Sequence, residues 1–252
     1  MIEIFILSLI QGVTEFLPVS SSSHLIIISE YLKFQDKGLS IDVSLHIGSF
    51  IAVLFYFRKE VTSFLNNKIL FFKVLISSVP VMIVGYYLVE TNIIEKLRNI
   101  KMIAFTTISF GILLFISDKS KLENKINKNF DYKSAFFIGF FQILALVPGV
   151  SRSGIAITAA RFLNFKRVDA GKISFLLSIP ILGAVSIFGI KNLVFSGDLS
   201  FTYLNLLSIV ISFFFSLITI KFFLRYIGKF NLNIFVFYRI FLGLIIMILA
   251  YS

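Results

Sequence analysis

The chain has 252 residues, 58% of them hydrophobic and 15% charged, with a mean hydropathy of +0.95. Soluble globular domains carry about 45–50% apolar and about 25% charged residues, so the composition excludes an ordinary soluble protein and points to one membrane domain. A net charge of +11 in a soluble chain would suggest a nucleic-acid partner; here the basic residues fall mostly in loops, where they orient a membrane protein, and no nucleic acid is expected. With no cysteine, disulfides and thiolate metal sites are excluded.

In chain order, the first apolar stretch is Phe5–Leu32. Its start, Ile2–Ile10, lacks the basic flank and small-residue cleavage site of a signal peptide and is expected to stay as structure. It is broken at Leu17-Pro18-Val19-Ser20-Ser21-Ser22-Ser23-His24. Spans are expected at Ile41–Phe57, Ile69–Leu88 and Met102–Ile116, the last short enough that it should begin earlier. Residues 117–133 form a charged linker, read as a solvated cytoplasmic loop. A second apolar stretch, Ser134–Leu163, is broken at Val147-Pro148-Gly149-Val150-Ser151-Arg152-Ser153-Gly154, and spans follow at Ile173–Ile190, Leu204–Phe223 and Ile234–Tyr251.

The halves of each broken stretch, roughly 12–15 residues, are too short to cross a bilayer that needs about 20. Proline stops the first half-helix and serine caps the second. Both stretches are therefore read as re-entrant hairpins, allowed at membrane depth where protein or water surrounds the loop. The expected fold is an all-α polytopic membrane protein with six transmembrane helices and two re-entrant helix–loop–helix hairpins. Shifting the first hairpin by 131 positions places Gln11 on Gln142, Val19 on Val150, Ser20 on Ser151 and Ser22 on Ser153. Three spans follow each hairpin, so the second must enter from the opposite face: an inverted repeat, with repeat 1 over about 1–116, the linker at 117–133 and repeat 2 over about 134–252.

Loop charge gives the sidedness. Six basic residues (Lys33, Lys37, Lys96, Arg98, Lys101, Lys191) fall on the side of the N-terminus and fourteen on the other, among them Arg58, Lys68, Lys125, Lys166, Arg167 and Lys229. The richer side is read as cytoplasmic, which opens the first hairpin to the exterior.

The hairpin breaks carry the chemistry. Gln11 and Glu15 are four apart and share a helix face. An intramembrane carboxylate is costly and usually faces a working cavity. Ser20, Ser21, Ser22 and Ser23 supply hydroxyls where a half-helix begins, and its free N–H groups and positive dipole end favour phosphate. His24 can titrate near neutral pH. In the second hairpin Ser151, Arg152 and Ser153 repeat the design with an arginine where the first has Ser21. That guanidinium needs a counter-ion, and a phosphate or Glu15 would serve. Together these groups suit a diphosphate whose lipid tail stays in the bilayer. Arg152 and the N–H groups would stabilise charge on the phosphoryl group, and Glu15 and His24 would move protons or hold a cation.

At these residues the chain resembles the undecaprenyl-diphosphate phosphatase family, also called bacitracin-resistance proteins. Gln11, Glu15, Pro18, Ser20, Ser21 and His24 fit its first signature; Pro148, Gly149, Ser151, Arg152 and Ser153 fit its second; Asp42–Gly48 is similar to a further family segment. Two positions depart: Gln11 stands where many members have Glu, and Ala156 where the second signature ends in Thr. The resemblance implies hydrolysis of undecaprenyl diphosphate to the monophosphate and phosphate, recycling the lipid carrier of peptidoglycan synthesis at the outer face of the bacterial inner membrane, with Mg2+ or Ca2+ and a link to bacitracin resistance.

The expected catalytic residues are Glu15, Ser21, His24 and Arg152; Gln11, Ser20, Ser22, Ser151 and Ser153 are expected to bind substrate, and Glu15 to be a metal ligand. Ser21 as nucleophile and an activated water remain alternatives. Expected partners are the substrate lipid, membrane lipids and a second copy in a homodimer. Structural readings stand beside these: Glu15 with His24 as a helix-packing pair, Arg152 as an ion-pair partner of Glu15, serines as caps, His46 as a buried polar residue, and Arg161 and Arg239 as structural. The alternative function is a transporter or lipid flippase of the same architecture.

Overall fold

The computed structural model describes residues 1–31, 38–64, 68–93, 97, 99–195 and 203–251. The loop cations Lys33, Lys37, Lys96 and Arg98 lie outside the described residues. The helices are α1 (Ile2–Thr14), α2 (Ser21–Tyr31), α3 (Gly38–Tyr56), α4 (Arg58–Ser63), α5 (Lys68–Glu90), α6 (Ile100–Asp118), α7 (Ile126–Asn129), α8 (Tyr132–Gln142, continued by a 3-10 turn at Ile143–Leu146), α9 (Arg152–Phe162), α10 (Arg167–Phe195), α11 (Tyr203–Ile227) and α12 (Asn233–Tyr251).

Five of these, α5, α6, α10, α11 and α12, are long and apolar enough to cross a membrane, and α3 adds a shorter apolar helix. All six expected spans are helices, and the third begins at Ile100, ahead of the expected Met102. Large apolar side chains such as Ile83, Phe105, Phe237 and Phe241 are exposed along these helices, the surface of a protein solvated by lipid rather than water. The α10 span is the most enclosed. Its Phe175 stands between Phe16, Phe57 and Phe223, with ring centroids 5.2, 6.4 and 5.7 Å away. These rings form an apolar floor under both hairpins.

Each broken stretch is two half-helices around a non-helical turn: α1 and α2 in the first, α8 and α9 in the second. The turns share a backbone. Ser20 has φ 73° and Ser151 φ 72°, a left-handed conformation rare outside glycine. Packing follows the same exchange of halves. The first half-helix α1 lies along α11 of the second half, and its counterpart α8 lies along α5 of the first; α3 lies on α10 and α6 on α12. At the α8–α5 contact a Cβ on Gly139 would meet the Ser77 carbonyl oxygen at 2.5 Å, so only glycine permits that approach.

Arg239 on α12 holds the two turns together. Its buried guanidinium donates to Pro18 O of the first turn (3.3 Å), to Gly149 O and Val150 O of the second (2.8 and 3.0 Å), and to Thr107 O (3.1 Å). No carboxylate pairs with it among the described residues. Thr106 Oγ1 donates to Pro148 O at 2.6 Å, and Gly149 sits at φ 93° where a Cβ would meet Thr106 Oγ1 at 2.0 Å.

The linker is less free than a solvated loop. Asn124 bridges to Phe165 and donates to Leu163 O at 2.8 Å, and Phe130 is buried. Buried Asp118 accepts from Arg161 (3.3 Å), Arg167 (2.7 Å) and the Leu232 backbone N–H (3.0 Å). Arg161 also donates to the carbonyls of Lys121, Phe165 and Ser120. At the linker's far end the Asp131 carboxylate caps α8 by accepting from the Ser134 hydroxyl and amide, which hold its pKa below the ordinary value.

Replacing Arg239 by leucine strips a partner from four buried carbonyls. At about 1–3 kcal/mol for each buried acceptor left without one, Arg239→Leu is expected to lower stability by at least about 3 kcal/mol. Gly149→Ala forces a side chain into both a left-handed backbone and an occupied space, with an expected cost of at least about 1–3 kcal/mol. Unfolding in detergent micelles measures both; an unchanged midpoint in either variant would contradict the role given to that residue.

Candidate active site

The last turn of α1 carries Gln11 and Glu15 on one face, and the left-handed Ser20 turns the chain so that Ser21 opens α2 facing back toward them. Ser21 Oγ donates to Glu15 Oε2 at 2.8 Å. Gln11 Nε2 donates to the same oxygen at 3.0 Å. From the second hairpin, Arg152 Nη2 meets the other oxygen, Glu15 Oε1, at 2.7 Å, in an ion pair whose side chains are 12% and 8% exposed. The carboxylate thus has a hydroxyl, an amide and a guanidinium around it. Arg152 also donates to Ser174 O at 3.3 Å, and its guanidinium stands 6.0 Å above the Phe16 ring.

The two loops are tied directly as well. Ser153 Oγ donates to Leu17 O of the first hairpin at 2.7 Å. Since that proton is committed, the 3.1 Å contact between Ser151 and Ser153 runs from the Ser151 hydroxyl to Ser153 Oγ. Ser151 Oγ accepts from Gly154 N at 3.1 Å, capping α9. Ser151 and Ser153, expected to bind substrate, therefore have their hydroxyl protons engaged in capping and in joining the loops. In the first hairpin Ser20 Oγ contacts Ser23 Oγ (2.9 Å) and Ser22 Oγ (3.3 Å). Ser21 and Ser22 are the two serines of this run that keep surface open: Ser22 is exposed, whereas Ser20 and Ser23 are buried.

Of the four expected catalytic residues, Glu15, Ser21 and Arg152 come together and His24 does not join them. His24 bonds to the Ser20 carbonyl at 2.7 Å and to Tyr238 Oη at 2.6 Å. The helix-packing pair of Glu15 with His24 is not formed either.

Two residues missed by the sequence reading stand at the site. His46 on α3, expected to be buried among neighbours, is half-buried with Nδ1 3.1 Å from Gln11 Nε2; an amide N–H can only donate, so Nδ1 accepts. Tyr238 comes from the last span. The Asp42–Gly48 segment was the one signal for His46; none marked Tyr238.

The donor set bears on a metal. No group of three His, Cys, Asp or Glu side chains that could hold an ion occurs among the described residues. What the centre offers is one carboxylate and the buried Gln11 Oε1, which has no hydrogen-bond partner.

Two interlocked turns, an open-ended pair of half-helix N-termini and a single carboxylate–guanidinium–hydroxyl centre are matched by known proteins over the whole chain. A family model described as bacitracin resistance protein BacA matches residues 4–245. An undecaprenyl-diphosphatase from Pelagibacter ubique (strain HTCC1062) is 50% identical over 252 residues, covering 100% of this chain and 98% of the relative. Undecaprenyl-diphosphatases from Aliivibrio salmonicida (strain LFI1238) and Jannaschia sp. (strain CCS1) are 42% and 35% identical, covering 96% and 99% of this chain and 95% and 98% of their own lengths. The chain belongs to the bacitracin resistance protein BacA family.

Proposed function

We propose that the chain is an undecaprenyl-diphosphate phosphatase, releasing inorganic phosphate and leaving undecaprenyl phosphate for reuse as the lipid carrier of peptidoglycan synthesis. The observation that carries this reading is the Ser21–Glu15–Arg152 contact, in which a nucleophile, a base and a phosphate-binding cation meet between two half-helix N-termini. The relatives reported above are all named as diphosphatases, and none favours the transporter alternative. The loop-charge bias supports an active site opening to the exterior face of the inner membrane.

Arg152 is the group that binds the terminal phosphate, exchanging its bond to Glu15 Oε1 for phosphate oxygens. A guanidinium fork suits that ligand, and free N–H groups at the starts of α2 and α9 add donors. Released from its counter-ion, Glu15 becomes the base for the Ser21 hydroxyl that already donates to it. Ser21 Oγ attacks the terminal phosphorus as its proton passes to Glu15, the bridging P–O bond breaks, and undecaprenyl phosphate departs. Glu15 then takes a proton from the water that cleaves the phosphoseryl ester. Arg152 and the N–H groups stabilise the equatorial oxygens in both steps.

One carboxylate and one unpartnered amide oxygen fit a Mg2+ or Ca2+ held mainly by the diphosphate itself, the common arrangement for Mg2+. Glu15 and Gln11 would hold it, and it would supply neutralisation of phosphate charge.

Purified protein in detergent is expected to release phosphate from undecaprenyl diphosphate. Glu15→Ala and Arg152→Ala should each lower kcat/KM by at least about 100-fold, the loss typical when one transition-state contact is removed; full activity in both would end this assignment. A phosphoseryl adduct trapped at Ser21 would support the covalent route, and undiminished turnover in Ser21→Ala would replace it with direct attack by water. Phosphate release should stop with a chelator and return with Mg2+ or Ca2+. Undiminished turnover in excess chelator would remove the cation from the scheme.

A further inference from the structure

His24 bonds to neither Glu15, Ser21 nor Arg152, yet both of its nitrogens are committed. Nδ1 lies 2.7 Å from the Ser20 carbonyl oxygen. A carbonyl can only accept, so Nδ1 carries the ring proton. Nε2 is then the acceptor of the neutral ring, and the phenol of Tyr238 donates to it at 2.6 Å. The two rings are nearly parallel, 6° apart with centroids at 5.7 Å. His24 is 9% exposed and Tyr238 43% exposed.

The carbonyl that His24 holds belongs to the peptide joining Ser20 to Ser21. Ser20 is the left-handed residue of the turn, and the orientation of its peptide sets where Ser21 begins α2. Tyr238, His24, the Ser20 carbonyl and Ser21 thus form a continuous chain from the last span to the hydroxyl that meets Glu15. Tyr238 is adjacent to Arg239, whose guanidinium fixes the Pro18 carbonyl two residues before Ser20. Consecutive residues of α12 therefore fix the first turn before and at its left-handed position.

The second hairpin shows that such a turn forms without this arrangement. Ser151 adopts φ 72°, matching Ser20, but the residue four positions on is Ile155, which is buried in the core and has no ring nitrogen to hold the carbonyl. The Ser151 turn is kept by its own Oγ cap and by Arg239 on Gly149 and Val150. The tyrosine–histidine lock exists only in the hairpin that carries Ser21. We propose that Tyr238 is a positioning residue of the phosphatase reaction, acting through His24 to hold the Ser20–Ser21 peptide so that the Ser21 hydroxyl is aimed between Glu15 and the substrate. This rests on the phosphatase reading.

Two measurements on the full chain in detergent test it. In steady-state phosphate release from undecaprenyl diphosphate, Tyr238→Phe should lower kcat about tenfold, the effect of losing one hydrogen bond of ordinary net strength, with KM within about twofold. His24→Ala should lower kcat at least as far, and the double variant should be no slower than His24→Ala alone, because the phenol acts only through the ring. Wild-type kcat in Tyr238→Phe, a loss confined to KM, or losses that multiply in the double variant would overturn the proposal. Independently of activity, the chain has two histidines, so 15N-histidine NMR can resolve them. His24 should show the Nδ1–H tautomer with a hydrogen-bonded Nε2, and Tyr238→Phe should move the Nε2 resonance toward that of a free acceptor. An unmoved Nε2 resonance overturns the lock even if the wild type is inactive. An inactive wild type whose Nε2 does respond sinks the phosphatase reading while the contact stands.

Discussion

A non-helical backbone inside a bilayer has no water to satisfy its carbonyls, so every turn at that depth must find donors within the protein. The two hairpin turns meet this constraint mainly through Arg239, whose donors go to carbonyls from both, with Thr106 and Ser153 supplying hydroxyls. Burying a guanidinium without a carboxylate is expensive; here the guanidinium hydrogen-bonds carbonyl oxygens that would otherwise be orphaned, so two unfavourable burials offset each other. Because one side chain grips both turns, the hairpins are held at one distance from each other. That distance brings Arg152 of one hairpin to Glu15 of the other.

The ion pair at the centre is built to be exchanged. A lone carboxylate or a lone guanidinium in this setting would cost several kcal/mol, and pairing them keeps the centre near neutral before a ligand arrives. A terminal phosphate brings negative charge and oxygen acceptors that compete with Glu15 for Arg152, and its arrival leaves Glu15 with the Ser21 hydroxyl. A resting ion pair of this kind and a catalytic role are therefore compatible. Its geometry is what binding requires: a cation held in place, close to the base it will release.

The spans, the two breaks and the pairing of the hairpins were legible in the sequence because each follows from local rules. Length and hydropathy mark spans, while Pro18 and Pro148 with the serines that follow mark stops and restarts. Glu15 and Arg152 were legible because intramembrane charge is rare. The clasp made by Arg239 was not, since it depends on which carbonyls a side chain meets 89 to 221 positions away. Likewise, Ser151 and Ser153 look like phosphate-binding hydroxyls by composition, and their use in capping and in tying the loops appears only once Leu17 O is seen opposite. The charged linker read as solvated because its composition is polar; its anchoring comes from Asp118, whose partners Arg161, Arg167 and Leu232 come from other helices.

The two hairpins share a backbone and differ in what that backbone presents. At the left-handed serine both turns make the same geometry, and the next residue is Ser21 in one and Arg152 in the other. Duplicated architecture thus delivers a hydroxyl from one side and a cation from the other to a single point, an asymmetry that a phosphoryl transfer needs and a symmetric site could not supply. The remaining differences follow the same division. Gln11 faces Glu15 and His46, whereas Gln142, its counterpart, donates to Ser77 O in helix packing. His24 is tied to Tyr238, whereas Ile155 packs in the core. One repeat keeps the polar groups that act, and the other keeps the scaffold that supplies their counter-charge.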